Sequence, residues 1–233
     1  MEKRPNDFGP QLGELRVAGL PVGAYLQRHI EAHPDTGTEE GIAHARELLK
    51  DRGVLIFDRH RTYYDIMMTG AFALERLGVE TAIAPITQTH TKGIFAPVMR
   101  GFAQTPGVEV IPITRAENVD RSSVTRDQIK QMNQQKRAYK ARVNEALATP
   151  QTAVVIAPFG TRHYGPGDTI RDGVQALVAS GVPVFCSHSA RPAHHLTFLT
   201  AFSPAPLELR GAEREDVSRA ILSEFERLAS CRE

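Results

Sequence analysis

Cysteine, tryptophan and long apolar runs are scarce or absent in this 233-residue sequence. The two cysteines, Cys186 and Cys231, predict neither a disulfide framework nor a cysteine metal site. No apolar run approaches the roughly 18 residues of a membrane span, and residues 1–10 lack the apolar core of a signal peptide. We therefore expect a protein of a reducing compartment, either cytoplasmic or peripheral on the inner face of a membrane.

An excess of charge is also lacking. Lys and Arg number 28 and Asp and Glu number 27, which gives a formal net charge of +1. A nearly neutral chain has no general attraction to nucleic acid or acidic lipid, although local patches remain allowed. The hydrophobic content of 41% is ordinary for a globular protein with a substantial core. We expect no nucleic-acid partner.

Short apolar runs alternate with helical patterns along the chain. The predicted strands lie at 54–57, 81–85, 108–113, 153–157 and 182–186, and the predicted helices at 39–50, 62–77, 122–148, 170–180 and 214–229. This alternation predicts a single α/β domain with a mixed, largely parallel central sheet flanked by helices. We place the domain at residues 39–233, after a polar N-terminal segment, 1–38, that contains one short amphipathic helix at 20–32.

The most informative stretch is GVLIFDRHRTYYD at 53–65, in which an apolar run ends in charged residues. It predicts a strand in the middle of a sheet, followed by a turn and a helix. On one continuous helix His60 and Asp65 would point about 140° apart. They can meet only if His60 lies in the turn and Asp65 in the first helical turn. Two simpler interpretations remain open: Asp65 caps the helix together with Thr62, or His60 is an exposed turn residue.

A basic face is predicted on the helix at 122–148. Residues 120–142 contain two acidic residues, Asp120 and Asp127, and seven basic ones: Arg121, Arg126, Lys130, Lys136, Arg137, Lys140 and Arg142. Such a face binds lipid head groups, nucleotides or an acidic carrier protein in some proteins and is only solvated in others.

Two other kinds of site are not expected. His163, His188, His194 and His195 lack further ligands at the spacing of a zinc site, so we expect no metal. The sequence also has no glycine-rich phosphate loop of the G-x-x-x-x-G-K-S/T or G-x-G-x-x-G type. A nucleotide-hydrolysing enzyme is therefore disfavoured.

Five motifs resemble those of the glycerolipid acyltransferases, the family that contains lysophosphatidate acyltransferase. HRTYYD at 60–65 resembles the H-x4-D motif, and KGIFAPVMRGF at 92–102 resembles the segment that follows it. GVEVIPITR at 107–115 resembles the second motif, PFGTR at 158–162 resembles FPEGTR, and GVPVF at 181–185 resembles the fourth motif. Their order and spacing match the family pattern.

The resemblance covers residues 40–210 and implies an O-acyltransferase. Such an enzyme moves a fatty acyl group from an acyl-CoA or acyl-carrier-protein thioester to a hydroxyl of a lysophospholipid, glycerol phosphate or related acceptor. It implies that His60 takes the hydroxyl proton and that Asp65 orients the imidazole. The implied substrate-binding residues, which hold the acceptor phosphate, are Lys92, Arg115, Gly160, Thr161 and Arg162. No cofactor is implied beyond the acyl thioester co-substrate.

Three positions depart from the family pattern. Arg59 replaces an asparagine, Cys186 replaces a proline, and Phe159 replaces the glutamate of PEGTR. Because His60 and Asp65 are kept, we interpret the loss of the glutamate as a change of acceptor, with the Phe159 ring packed on an apolar part of it. The alternative function is a non-catalytic acyltransferase-like module that binds lipid or an acyl carrier through its basic helix. Thioester hydrolysis is a third possibility.

Overall fold

The secondary structure comes from a computed structural model that describes residues 16–17, 20–34, 36–62, 64–87, 96–113, 125–160, 163–192 and 197–230. The strands are β1 (Arg16–Val17), β2 (Leu20–Pro21), β3 (Ile30–Ala32), β4 (Val54–Asp58), β5 (Thr81–Thr87), β6 (Val108–Ile113), β7 (Thr152–Ile156), β8 (Val184–Ala190) and β9 (Phe198–Phe202). The helices are α1 (Val22–Arg28), α2 (Thr38–Leu48), α3 (Asp65–Phe72), α4 (Ala96–Ala103), α5 (Arg126–Ala148), α6 (Asp172–Ala179) and α7 (Arg214–Ser230). A π-helical turn, Ala73–Leu77, continues α3.

A seven-stranded sheet forms the centre of the molecule, in the order β3-β9-β8-β4-β7-β5-β6. All neighbouring strands in it are parallel except β8 and β9. Strand β4 lies between β8 and β7, and all of its residues are buried. The predicted α/β fold and the central position predicted for the strand at 54–57 are therefore confirmed.

Helices cover both faces of this sheet, because successive side chains of a strand point to opposite sides. Val54 and Ile56 of β4 pack in one apolar cluster with residues of α1, α2, α3 and α4. Leu55 and Phe57 pack in a second cluster with residues of α5, α6 and α7. Full burial of an aliphatic or phenylalanine side chain contributes about 1.5–3 kcal/mol, so this strand is firmly held from both sides.

The chain leaves the neighbouring strands β4 and β7 in opposite directions. Helix α3 follows β4 on the first face, and the chain continues to β5. Helix α6 follows β7 on the second face, and the chain continues to β8. Both connections leave from the carboxyl ends of adjacent parallel strands, and open α/β sheets bind ligands outside these ends. The fold therefore directs attention to the turn after Asp58 and the loop after Ile156.

The N-terminal segment differs from its predicted form. Helix α1 ends at Arg28, and Ile30–Ala32 forms β3, parallel to β9. This stretch pairs with β9 through backbone hydrogen bonds: Phe198 N–H donates to His29 O (2.6 Å), and His33 N–H donates to Thr200 O (2.9 Å). The prediction of a helix as far as residue 32 is therefore wrong at its end, because edge pairing outweighs a weak amphipathic pattern.

Two other helix boundaries follow from local chemistry. Helix α5 begins after Thr125, whose hydroxyl accepts a hydrogen bond from Gln128 N–H in a capping box; residues 121–124 lie outside the described part. The helical segment that starts with α3 ends at Gly78, which adopts a left-handed conformation with φ of 72°. Within the described chain, no helix combines the length and apolar character needed to cross a bilayer.

Candidate active site at the end of the central strand

His60 lies in the turn between β4 and α3, as the sequence predicts. Its backbone N–H donates a hydrogen bond to Asp58 O (2.9 Å), and the N–H of Arg59 donates to Ser187 O in β8 (3.0 Å). The Arg59 bond extends the pairing of β4 with β8 into the turn, and the His60 bond closes a tight local turn directly after β4. The His60 side chain is 12% exposed, which excludes the interpretation that it is simply an exposed turn residue.

Asp65 is the first residue of α3 and closes the same turn. Its Oδ2 accepts hydrogen bonds from the N–H groups of Arg61 and Thr62, and its Oδ1 accepts one from the Thr62 hydroxyl (2.7 Å). The bond from Thr62 N–H is the one that the capping interpretation predicts, although the N-cap residue of α3 is Tyr64 and not Thr62. Asp65 therefore stabilises the loop that presents His60.

The turn also brings His60 and Asp65 near each other. One ring nitrogen of His60 and one carboxylate oxygen each of Asp58 and Asp65 all lie within 4.8 Å of one another. The predicted placement, His60 in the turn and Asp65 in the first helical turn, is confirmed. The catalytic roles of the two residues stay a prediction.

Asp58 is the member of this cluster that the sequence analysis overlooks. Its side chain is fully buried, and its Oδ1 accepts a hydrogen bond from the Thr69 hydroxyl (2.8 Å). The Thr69 hydroxyl lies 2.9 Å from the hydroxyl of Ser187. Asp58 Oδ2 lies 3.9 Å from His60 Nδ1 and has no hydrogen-bond donor among the described residues. A carboxylate as the last residue of a buried apolar strand, two positions before a histidine, is the signal that could have identified it.

Burial makes the charge of Asp58 unfavourable. Desolvation raises the pKa of its carboxyl group well above the ordinary value, and the nearby charge of Asp65 raises it further. The hydrogen bond from Thr69 acts in the opposite direction with a smaller effect. Carboxyl groups with such perturbed pKa values, next to a histidine at the edge of a sheet, are typical of functional sites.

A small cavity of about 70 Å³ adjoins His60 at this edge of the sheet. Its wall is mainly apolar and comes from the ends of strands and the facing helices: Ile66, Met67, Pro85, Ile86, Thr87, Met99, Ile113, Tyr139, Ile156 and Ala157. Burial raises the pKa of the Tyr139 phenol to about 12, so this group stays neutral at physiological pH. The cavity corresponds to about two water molecules in liquid volume and could receive the reactive end of a substrate.

Phe159, which stands where the related family has glutamate, lies inside the protein. Its ring is 3% exposed and stacks on Tyr164 with 4.6 Å between ring centroids. The Arg61 guanidinium lies 4.3 Å from the centroid of Tyr164, and burial raises the pKa of the Tyr164 phenol. The expectation that Phe159 packs on an acceptor is wrong, because the protein's own core encloses the ring.

Gly160 forms the turn after β7. It has φ of +67°, and a Cβ atom there would lie 2.8 Å from Arg171 Nε, which donates a hydrogen bond to Phe159 O. The backbone itself therefore requires glycine at this position. A role of Gly160 in substrate binding stays a prediction. The other predicted binding residues, Lys92, Arg115, Thr161 and Arg162, lie outside the described residues.

The histidines considered for zinc do not form a site in the described chain. His188 is buried, with Nε2 3.5 Å from Arg59 Nη1, whereas His163 is exposed and His194 and His195 lie outside the described residues. Among described residues, the group able to hold a metal is Asp58, His60 and Asp65. Hydrogen bonds already engage both oxygens of Asp65.

Comparison with known proteins adds no family assignment: no protein-family model matches the chain, and no curated protein matches it. The resemblance to glycerolipid acyltransferases therefore depends on the five motifs in the sequence. The geometry around His60 is a separate observation, which any proposed function has to use.

Proposed function

We propose that this chain is an O-acyltransferase. It moves a fatty acyl group from an acyl-CoA or acyl-carrier-protein thioester to a hydroxyl of a lysophospholipid, glycerol phosphate or related acceptor. The observation that carries the proposal is the position of His60, which adjoins an apolar cavity at the carboxyl edge of the sheet beside two buried carboxylates. The order of the five motifs gives independent support.

In the proposed reaction, His60 acts as a general base. The acceptor hydroxyl gives its proton to the imidazole while its oxygen attacks the carbonyl carbon of the thioester. The carbon–sulfur bond then breaks, and the imidazolium returns the proton to the departing thiolate. General-base catalysis of this kind contributes about 10²- to 10⁴-fold in rate. The reaction requires no protein nucleophile, and a carboxylate beside the imidazole stabilises the positive charge that forms on it.

We assign the two substrates to different groups of residues. The apolar wall beside His60 suits the acyl end of the donor, since each buried methylene contributes about 0.8 kcal/mol. Arg115 and Arg162, together with Lys92, Gly160 and Thr161, are the proposed site for the acceptor phosphate, because a guanidinium binds phosphate through two parallel hydrogen bonds.

The basic part of α5 is the proposed contact with an acidic surface, either anionic lipid or an acyl-carrier protein. Its solvent-exposed cations are Arg126, Lys130, Lys136, Arg137 and Lys140. Arg142 does not belong to this surface, since its guanidinium pairs with Glu109 at 2.6 Å. Ile129 is 48% exposed on the same half of the helix. This combination supports a peripheral position on the inner face of a membrane.

The decisive experiment incubates the purified chain with acyl-CoA and a panel of lysophospholipids and polyol phosphates, and identifies products by mass spectrometry. We expect one acylated acceptor for each thiol released, and a loss of about 10²- to 10⁴-fold in His60→Ala. The matched control is His44→Ala, because His44 is exposed and its ring bonds only a backbone oxygen, that of Pro204. This control should keep wild-type activity.

Two other results would contradict the proposal. If no acceptor is acylated, and if the wild type and His60→Ala bind acyl-CoA or lipid vesicles equally well, the chain is a non-catalytic binding module. The exposed basic half of α5 is the observation that favours this second function. If thiol appears without any acceptor, the activity is thioester hydrolysis.

A further inference from the structure

Two carboxylates lie beside His60, and we propose that they have different tasks: Asp58 orients the imidazole, and Asp65 holds the turn. The orienting task is the one that the motif resemblance assigns to Asp65. The inference concerns the geometry of the His60 ring, and its catalytic consequence rests on the proposed acyltransfer.

The contacts of Asp65 are those of a residue that secures a loop. Its two oxygens together accept three hydrogen bonds, from the backbone N–H groups of Arg61 and Thr62 and from the Thr62 hydroxyl. Each bond ties the start of α3 back to the turn. Hydrogen bonds to an ionised carboxylate are each worth about 1.5–3 kcal/mol, so the turn that carries His60 depends strongly on Asp65.

The contacts of Asp58 are those of a residue that is aimed at the ring. Asp58 ends the central strand, and the Thr69 hydroxyl fixes its Oδ1 at 2.8 Å. This leaves Oδ2 directed to His60 Nδ1 at 3.9 Å, with no hydrogen-bond donor among the described residues. In enzymes without bound substrate, catalytic hydrogen bonds are often long and shorten in the reacting complex. A small rotation of the imidazole would bring Nδ1 within hydrogen-bond distance of Oδ2.

In the proposed arrangement, the hydrogen bond to Asp58 sets the tautomer of His60. A proton on Nδ1 donates to Asp58 Oδ2 and leaves Nε2 unprotonated, and only an unprotonated Nε2 can accept the acceptor's proton. When Nε2 takes that proton, the ring becomes positive and Asp58 keeps its negative charge. Burial makes an isolated charge on Asp58 unfavourable, as the raised pKa of this carboxyl shows. A positive ring beside it offsets that cost, which favours the charged ring during the reaction.

The test uses Asp58→Asn and Asp65→Asn, in protein freed of metal ions with a chelator. Asparagine keeps the size of Asp58 and an oxygen for the Thr69 hydroxyl, but its amide can donate to Nδ1 and so favours the inactive tautomer. Nitrogen NMR of labelled histidine rings reports the tautomer directly, and a spectrum of His60→Ala identifies the His60 signals. Ester formation is measured in parallel. The control is Asp172→Asn, since Asp172 is 91% exposed.

We expect the proton on Nδ1 of His60 in the wild type and a shift to Nε2 in Asp58→Asn, with a fall in kcat of about 10⁴-fold, as occurs when the orienting aspartate of a serine protease is amidated. Asp65→Asn should keep the Nδ1 tautomer but unfold at a lower temperature. Should Asp58→Asn fail to fold, Thr69→Val removes only the hydroxyl that aims Asp58 and should produce a mixture of tautomers.

The opposite assignment of tasks would overturn the proposal. The proposal is wrong if Asp58→Asn keeps both the Nδ1 tautomer and wild-type kcat, or if Asp65→Asn shifts the tautomer without loss of thermal stability. It is also wrong if Thr69→Val, used as the substitute variant, leaves a single Nδ1 tautomer. The NMR measurement needs no turnover, so a chain without acyltransferase activity would refute the proposed function and still decide the role of Asp58.

Discussion

At the scale of single residues, the buried carboxyl of Asp58 makes the stability of the fold depend on pH. Its pKa is raised in the folded state, so the folded chain binds this proton more tightly than the unfolded chain does. The favourable contribution is complete below the ordinary value of 3.8 and is lost as pH rises through the folded-state pKa. We therefore expect Asp58→Asn to gain stability relative to the wild type as pH rises above 4.

Urea unfolding of both proteins across the acidic and neutral range measures this difference. The free energy of unfolding of Asp58→Asn minus that of the wild type should grow with pH and level off above the folded-state pKa. Asp172→Asn, which makes the same chemical change at an exposed position, supplies the comparison. A difference that does not change with pH would mean that burial has no effect on the titration of Asp58.

Gly160 supplies a second prediction at this scale. Gly160→Ala places a Cβ at φ of +67° and 2.8 Å from Arg171 Nε, which should lower the free energy of unfolding by about 1–3 kcal/mol. Gly165→Ala, in the same loop, is the control, because no atom of a described residue lies within 4 Å of the added Cβ. Thermal unfolding of the two variants tests this. Equal stability would show that the turn at residue 160 relaxes without cost.

Sequence patterns predict residue positions better than residue partners. The apolar run and the spacing of His60 and Asp65 correctly predict a turn and the start of a helix. The pattern cannot show which carboxylate faces Nδ1, because that depends on Thr69, eleven residues later in α3, and on the neighbouring Ser187 in β8. Likewise, stacking on Tyr164 buries Phe159, and no local spacing signals this contact.

At the scale of secondary-structure elements, fully apolar runs are the most predictive feature. The strands at 54–57 and 153–157 are predicted to within one residue, because both faces of these strands are buried and the run has no polar interruption. Strand β3 has no such run. It forms by parallel pairing with β9, and such long-range pairing cannot be seen in a three-residue segment.

Helix α5 carries a prediction at this scale. Its C-terminal half packs on the sheet through Val143, Ala146 and Leu147, whereas the cations nearer its start are exposed. Replacing Lys130 and Arg137 with glutamate should weaken binding to vesicles that contain anionic phospholipid. At about 1 kcal/mol for each basic residue near the surface, the loss is at least about 2 kcal/mol, or roughly 30-fold.

Vesicle sedimentation measures this binding, and Arg219→Glu is the control, since Arg219 is an exposed arginine on a different helix, α7. Binding by the wild type should also weaken at high salt. If the double variant binds vesicles as the wild type does, or if Arg219→Glu has the same effect, the basic half of α5 is only solvated. Loss of binding to an acyl-carrier protein but not to vesicles would identify the acidic protein as the partner.

At the scale of the whole molecule, the topology explains why residues from segments far apart in the sequence line one small cavity. The chain visits β5 and β6 before it returns to β7 beside β4. The carboxyl ends of these parallel strands therefore meet at one edge, where helices from the first face and Tyr139 of α5 complete the wall. His60 adjoins a cavity that is lined by residues of three strands and three helices, so the cavity is a property of the fold.

This construction predicts that the far wall of the cavity limits how many methylenes of the acyl group can enter beside His60. Ile113, at the end of β6, lines the cavity and is only partly buried, so Ile113→Phe should fill space there with little strain. Excluding two methylenes of the acyl chain would cost about 1.6 kcal/mol, or roughly 15-fold in the preference for long over short acyl-CoA. Competition between two acyl-CoA chain lengths, read by mass spectrometry of the ester products, measures the ratio. The control is Ile129→Phe, at an exposed position of α5, which should leave the ratio unchanged. An unchanged ratio in Ile113→Phe would place the acyl chain outside this cavity.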